Sequence, residues 1–170
     1  MIRRNYMHNN FTKKTTMSSI HYFQSYSQPE NVATNNTLLL LSRLYQYSSN
    51  HFKGFLNDLL DDTDLEASIL FNQQQRGNGS VPDGSISQTT FKVVVETKLH
   101  QHFSIQQLTE HLKSFGQEDR KILLSLSPKF PSASLVGQIE AEVKKFNSAN
   151  NTSIKYNPTT FQLIVKSEAC

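Results

Sequence analysis

Apolar positions in the middle of the chain first alternate and then run together, as they do in a strand that lies inside a sheet. Successive side chains of a strand point to opposite faces. One face would hold Phe91, Val93, Val95, Thr97 and Leu99, and the other would hold Lys92, Val94, Glu96 and Lys98. The continuous run 93–95 is typical of a strand that is covered on both faces. The pattern predicts a central strand over 91–99, with a carboxylate and an ammonium near its end.

Helical and strand-like periods alternate on both sides of this segment. The predicted helices cover 27–47, 51–60, 104–115 and 135–146, with a last short helix that begins at Asn157-Pro158; the other predicted strands cover 68–75, a segment from Asp83, 121–127 and an edge strand at 152–156. Asn78-Gly79 is a hairpin signal between the first two strands. The predicted fold class is α/β, a central mixed β-sheet of about four or five strands flanked by helices on both faces.

The start of the first helix has a structural explanation in the sequence itself. Ser27 and Glu30 have the Ser-x-x-Glu spacing of a capping box, and Pro29 suits the first turn. Glu30 is therefore predicted to reach back to the Ser27 amide.

Length and composition predict one folded domain. With 170 residues, the chain suits a single α/β domain. We expect residues 1–16, which are polar and without periodicity, to be a disordered tail, and residues 17–170 to form the domain. The apolar residues near Phe161 have little chain left to pack against, which raises the hypothesis of a truncated C-terminus.

The charge and the targeting signals indicate the compartment of the protein but say little about its binding partner. The net charge of +3 arises from four basic residues within the first fourteen positions, so the remainder is close to neutral. No apolar run is long enough to span a bilayer, and the lone cysteine, Cys170, suits a reducing compartment. We predict a cytoplasmic protein without a membrane partner. The basic, acid-free start also fits a mitochondrial presequence, the less favoured alternative.

The segment VPDGSISQTTFKVVVETKL holds the candidate chemistry. Asp83 precedes Glu96 by enough chain for two adjacent strands to bring both carboxylates together, beside Lys98. Two carboxylates and a lysine can form a site for a hard cation with a group that acts on water. The alternative is a turn aspartate and an exposed Glu/Lys pair on an amphipathic strand.

The pattern PDGSI followed by VVVETK resembles the PD-(D/E)xK nuclease superfamily, which has the restriction-endonuclease-like fold. The motif of that family is Pro-Asp, a spacer, and Glu-x-Lys on a β-strand. The resemblance implies a metal-dependent nuclease acting on nucleic acid, most readily DNA, with Mg²⁺ held by Asp83, Glu96 and the backbone carbonyl of Thr97, and with Mn²⁺ able to substitute. It further implies that Lys98 orients the attacking water.

The resemblance also implies two helper residues. Glu30 stands where the family often keeps an acid on its first helix, and Gln107 resembles the glutamine on the helix after the Glu-x-Lys strand in RecB-like members. Those members usually have a tyrosine four residues later, where this chain has His111. His100, His102 and His111 could suggest a zinc site, but His100 and His102 lie in a predicted loop and no cysteine accompanies the three, so we interpret them as polar residues without a metal role. The alternative function is a catalytically inactive nuclease-fold binding or interaction module.

Overall fold

The computed structural model describes residues 28–60, 69–73, 81–100 and 102–167. The helices are α1 (Pro29–Tyr47), α2 (Ser49–Leu60), α3 (Ile105–His111), α4 (Ala133–Asn150) and α5 (Phe161–Ser167), and the strands are β1 (Leu70–Gln73), β2 (Gly84–Ser87), β3 (Phe91–Thr97), β4 (Arg120–Ser127) and β5 (Ile154–Thr160). The predicted tail, the Ser27 cap and the Asn78-Gly79 turn lie outside the described residues. Within the described ranges, no helix is both long and apolar enough to cross a membrane.

The five strands form one mixed sheet in the order β1-β2-β3-β4-β5. The pairs β1–β2 and β2–β3 are antiparallel, whereas β3–β4 and β4–β5 are parallel. The central position of β3 and the edge position of β5 agree with their sequence patterns. The predicted α/β fold class is confirmed.

Helices cover both faces of the sheet and create two apolar cores. Val93 and Val95 belong to the core that also contains residues of α1, α2 and α5. Val94 belongs to the second core, which α3 and α4 complete. The continuous valine run therefore reflects a strand buried on both sides, as predicted.

The C-terminal part of the chain differs from its prediction. Asn157 and Pro158 do not start a helix; they lie in β5, where Pro158 pairs with Ser125 of β4. An edge strand can accept proline because one of its sides needs no ladder hydrogen bond. Helix α5 begins at Phe161 instead, and its Ile164 is only 3% exposed within the first core. At least one of the late apolar residues is thus packed, contrary to expectation.

Candidate active site

The candidate site lies where the parallel strands β3 and β4 end. Glu96, the penultimate residue of β3, is opposite Ser125 of β4. The Lys98 amide donates to the carbonyl of Leu126 at 3.0 Å, so pairing with β4 continues one residue beyond β3. The backbone that holds Glu96 and Lys98 is therefore fixed by the sheet.

Asp83 reaches this end of β3 through the antiparallel pairing of β2. Asp83 immediately precedes β2, whose first residue, Gly84, is opposite Val95. The Thr97 amide donates to Asp83 Oδ2 at 2.7 Å. The two strands thus bring the Asp83 carboxylate beside the backbone between Glu96 and Lys98, the arrangement expected from the sequence.

Close packing of α1 fixes the position of β2 beneath the helix. A Cβ atom on Gly84 would lie 2.6 Å from Leu38 Cδ1 of α1 and 3.3 Å from the carbonyl oxygen of Asn72 of β1. The first distance is shorter than a normal carbon–carbon contact, so a larger residue would require either the Leu38 side chain to move or α1 and the sheet to separate. Glycine next to Asp83 therefore allows the approach that places the aspartate.

Asp83 is buried near the negative charges of Glu96 and Glu30, which the positive charge of Lys98 does not fully offset. Burial, followed by the charge of Glu96 and then that of Glu30, raises the pKa of Asp83 from 3.8 to about 6. The Thr97 hydrogen bond and the charge of Lys98 oppose this rise but do not cancel it. The site consequently favours a further positive charge near Asp83.

Glu96 is the buried centre of the polar network. Its side chain is 1% exposed. Lys98 Nζ and Gln107 Nε2 donate to its Oε1 at 2.7 and 2.6 Å, and His111 Nε2 lies 2.8 Å from its Oε2. A buried carboxylate needs such partners, because an unpaired charge away from water is costly. Gln107, which the sequence placed near the site, therefore contacts Glu96 directly.

Lys98 carries the positive charge of the site. Burial would lower its pKa, but the hydrogen bond and charge of Glu96, together with the charges of Asp83 and Glu30, outweigh burial and raise the pKa above 10.5. Lys98 is therefore an ammonium at neutral pH. An ammonium donates hydrogen bonds and accepts none, which limits the roles open to it.

Glu30, in the first turn of α1, contacts the chain just after β3. The N-cap of α1 is Gln28, without a side-chain cap, and Glu30 Oε1 instead accepts a hydrogen bond from the Leu99 amide at 3.4 Å. The Thr34 hydroxyl, one turn further along α1, lies 2.6 Å from that of Thr97. These contacts attach α1 to the segment that contains Glu96 and Lys98.

His111 lies on the helix predicted over 104–115, but its contact with Glu96 was not predicted. It lies in the last turn of α3, and its side chain is fully buried against Glu96. His100 and His102, by contrast, are exposed. The spacing of four residues between Gln107 and His111 puts both on one helix face. Because Gln107 was already a candidate site residue, this spacing could have indicated from the sequence that His111 also faces the site.

The donors present fit a hard divalent cation in their chemistry. Asp83, Glu96 and Glu30 offer only oxygen atoms, which Mg²⁺ and Mn²⁺ prefer. Burial first, and then the charges of Glu96 and Glu30, raise the pKa of Asp83. Among the described residues, no three His, Cys, Asp or Glu side chains are close enough to hold a metal ion by themselves. Further ligands would have to be backbone carbonyls, such as that of Thr97, or water.

No protein-family model, no curated protein and no solved structure matches the chain. The function has to be inferred from the residues of the site.

Proposed function

We propose that this protein is a metal-dependent nuclease of the PD-(D/E)xK type that hydrolyses phosphodiester bonds of nucleic acid, with DNA as the expected substrate. One observation supports this proposal above all others. Asp83, held by the Thr97 amide, lies next to the Glu96–Lys98 ion pair at the end of β3. This arrangement supports a common role for the three side chains.

In the proposed site, Asp83, Glu96 and the Thr97 carbonyl hold Mg²⁺, for which Mn²⁺ can substitute. When bound, such a cation polarises the phosphate and lowers the pKa of a water molecule. Asp83 gains from the added charge, because burial, and after it the charges of Glu96 and Glu30, raise its pKa. Glu30 adds negative charge to the same region.

Lys98 acts on the reacting groups as a charge and a hydrogen-bond donor. In hydrolysis the water oxygen forms a bond to phosphorus, the bond from phosphorus to the leaving sugar oxygen breaks, and the water proton passes to solvent while the leaving oxygen gains one. The raised pKa of Lys98 means that it orients the water and offsets charge on the phosphate without taking the proton. Electrostatic stabilisation of this kind often lowers the barrier of such reactions more than any other single effect.

One observation favours the alternative of a catalytically inactive binding module. All the hydrogen bonds of Glu96 described above come from the protein itself, and the carboxylate is almost inaccessible. A purely structural ion-pair network has these properties as well. DNA binding without cleavage would establish this alternative.

A cleavage assay tests the proposal directly. We expect linear and plasmid DNA to be cleaved in Mg²⁺, cleavage to stop with a chelator, and Glu96→Gln to lose at least ~100-fold in rate. Glu142→Gln is the matched control, because Glu142 is a partly exposed carboxylate on α4 that pairs with Lys145. Equal rates in the Glu96 and Glu142 variants would contradict the proposed site.

A further inference from the structure

The loop between β4 and α4, residues 128–132, carries an exposed aromatic side chain. Phe130 is 57% exposed, whereas the aromatic side chains of the two cores are buried or half-buried. A single exposed apolar side chain is common on protein surfaces. The position of Phe130 and the rigidity of its backbone therefore decide whether the ring has a further role.

The β4–α4 loop lies at the same end of the sheet as the candidate site. The carbonyl of Leu126 in β4 accepts a hydrogen bond from the Lys98 amide. Phe130 follows Leu126 by four residues, which is at most about 14 Å of chain. The loop also leads onto the face of the sheet that carries Glu96, because α4 packs together with α3 on that face. One bound strand of nucleic acid can therefore contact both the site and Phe130.

Two prolines and a hydrogen bond restrict the backbone of the β4–α4 loop. Pro128 and Pro131 fix their own φ angles, and Pro131 also restricts the preceding Phe130 to extended conformations. The Ser127 hydroxyl donates to the Lys129 carbonyl at 2.7 Å. Because the backbone is already restricted, little of its conformational entropy remains to be lost when a ligand packs on the ring.

An exposed aromatic ring beside a nucleic-acid site fits an unpaired base. Bases inside a continuous duplex stack on one another, whereas an unpaired base offers its π-face to an aromatic side chain whatever its identity. Lys129, which is also exposed, adds a positive charge next to the ring, and such a charge suits the phosphate backbone. The pair thus offers one group for a base and one for a phosphate.

We propose that the β4–α4 loop binds unpaired nucleotides of the substrate, with a base stacked on Phe130 and a phosphate beside Lys129, and that the protein therefore prefers single-stranded or frayed DNA to continuous duplex. The inference rests on the proposed action on nucleic acid and narrows the substrate class. Neither side chain takes part in breaking the phosphodiester bond.

The test uses tryptophan fluorescence, because the chain has no tryptophan of its own. Phe130→Trp keeps a ring that can stack. Tyr47→Trp is the matched control, since Tyr47 is 89% exposed but lies about 26 Å along α1 from Glu30. Both variants are titrated in Ca²⁺, with which we expect little cleavage, using oligothymidylate and a relaxed circular duplex that has no ends. Oligothymidylate should quench the fluorescence of Phe130→Trp alone, and the duplex should quench neither variant.

Two further variants measure the size of each contribution, with labelled oligothymidylate followed by fluorescence anisotropy and the circular duplex as competitor. Phe130→Ala should weaken oligothymidylate binding about 10-fold, a typical contribution of one stacked base, and leave duplex binding unchanged. Lys129→Met should weaken both ligands and reduce the salt dependence of both, as the loss of one phosphate contact does. An unchanged salt dependence would overturn the role of Lys129. Both side chains are exposed, so the melting temperature should hold.

The outcomes separate this inference from the proposed function. If the wild type neither binds nor cleaves DNA, both proposals fail. If it binds oligothymidylate through Phe130 without cleaving it in Mg²⁺, the binding role stands and the catalytic proposal fails. If the wild type cleaves DNA and Phe130→Ala binds oligothymidylate equally well, only the role of Phe130 is overturned. Equal quenching of Phe130→Trp and Tyr47→Trp would overturn that role as well.

Discussion

Asp83 Oδ2 accepts a hydrogen bond from the Thr97 amide at 2.7 Å, and this bond joins the two halves of the candidate motif. Thr97 lies between Glu96 and Lys98, so the aspartate is attached to the backbone from which both other groups project. The side chain of Thr97 points to the opposite face, where its hydroxyl lies 2.6 Å from that of Thr34 on α1. One residue of β3 thus connects the turn before β2, the first helix and the candidate catalytic pair.

The raised pKa of Asp83 predicts a stability difference that depends on pH. An acid whose pKa is higher in the folded state, here about 6 instead of 3.8, destabilises the fold above about pH 6 and has no effect below about pH 4. Asparagine keeps an acceptor for the Thr97 amide but lacks the charge. We therefore expect metal-free Asp83→Asn to be more stable than the wild type at pH 8 by about 1–3 kcal/mol.

Urea unfolding at pH 8 and pH 4 without metal would measure this difference. It should shrink as the pH falls through about 6. A gap of the same size at both pH values would show that the substitution acts through packing and not through charge.

Asp83 should also determine metal affinity. Since a proton competes for Asp83 up to about pH 6, the affinity of the wild type for Mn²⁺ should rise from pH 5 to pH 7 and then level off. Asp83→Asn should lose measurable binding at every pH. Calorimetry provides both results, and Ca²⁺ should occupy the wild-type site while supporting little cleavage. Equal Mn²⁺ affinity in the wild type and in Asp83→Asn would refute the assignment.

Glu30→Gln tests whether the first helix contributes charge to the site. Glutamine can accept the 3.4 Å hydrogen bond from the Leu99 amide, so the melting temperature should hold within a few degrees. Removal of the charge should weaken Mn²⁺ binding and lower the cleavage rate about 10-fold, as for other groups that surround a metal ligand. An unchanged cleavage rate would remove Glu30 from the site and leave it with a purely structural contact.

The sequence could predict those contacts of the site that follow from the pairing of neighbouring strands. It could not predict those that depend on how a helix docks on the sheet. The opposite faces of β3 and the meeting of Asp83 with Glu96 follow from strand geometry and were predicted. The contact between His111 and Glu96 depends on how α3 docks on the sheet, which no local period encodes. For Glu30 the sequence offered two explanations, the Ser-x-x-Glu spacing of a capping box and a place near the site, and local spacing alone could not predict its contact with Leu99. The helix predicted to begin at Asn157-Pro158 was wrong for a similar reason, since the same residues are also compatible with an edge strand.

Gly84→Ala tests the packing that holds β2 under α1. The new methyl group would meet Leu38 Cδ1 at 2.6 Å, and although that side chain can move, both it and the strand are buried. We expect a loss of stability of about 1–3 kcal/mol. Gly137→Ala is the matched control, since Gly137 lies within α4 with nothing within 4 Å of an added Cβ. That change should stabilise the protein by about 0.5–1 kcal/mol, and similar effects of both substitutions would contradict the close approach of α1.

The last prediction separates chemistry from binding at Lys98. Lys98→Met keeps an apolar stem of similar length and removes the ammonium, so the end of β3 should remain packed. It also frees Glu96 Oε1 of one of its two donors, while Gln107 still donates to that oxygen. Mn²⁺ and DNA binding should therefore stay close to that of the wild type.

Cleavage by Lys98→Met should nevertheless fall at least ~100-fold, because a positioned charge-stabilising group typically contributes this much to the rate. Single-turnover cleavage at saturating enzyme, run beside a binding titration, measures the two effects separately. Lys113→Met serves as the control, since Lys113 pairs with Glu110 on an exposed surface and its loss should leave both quantities unchanged. The raised pKa of Lys98 adds a second expectation, namely that the wild-type rate does not decline between pH 8 and pH 9.5 through loss of the lysine proton. Undiminished cleavage by Lys98→Met would show that Glu96 and Lys98 form only a structural ion pair, and the nuclease proposal would then lose its principal support.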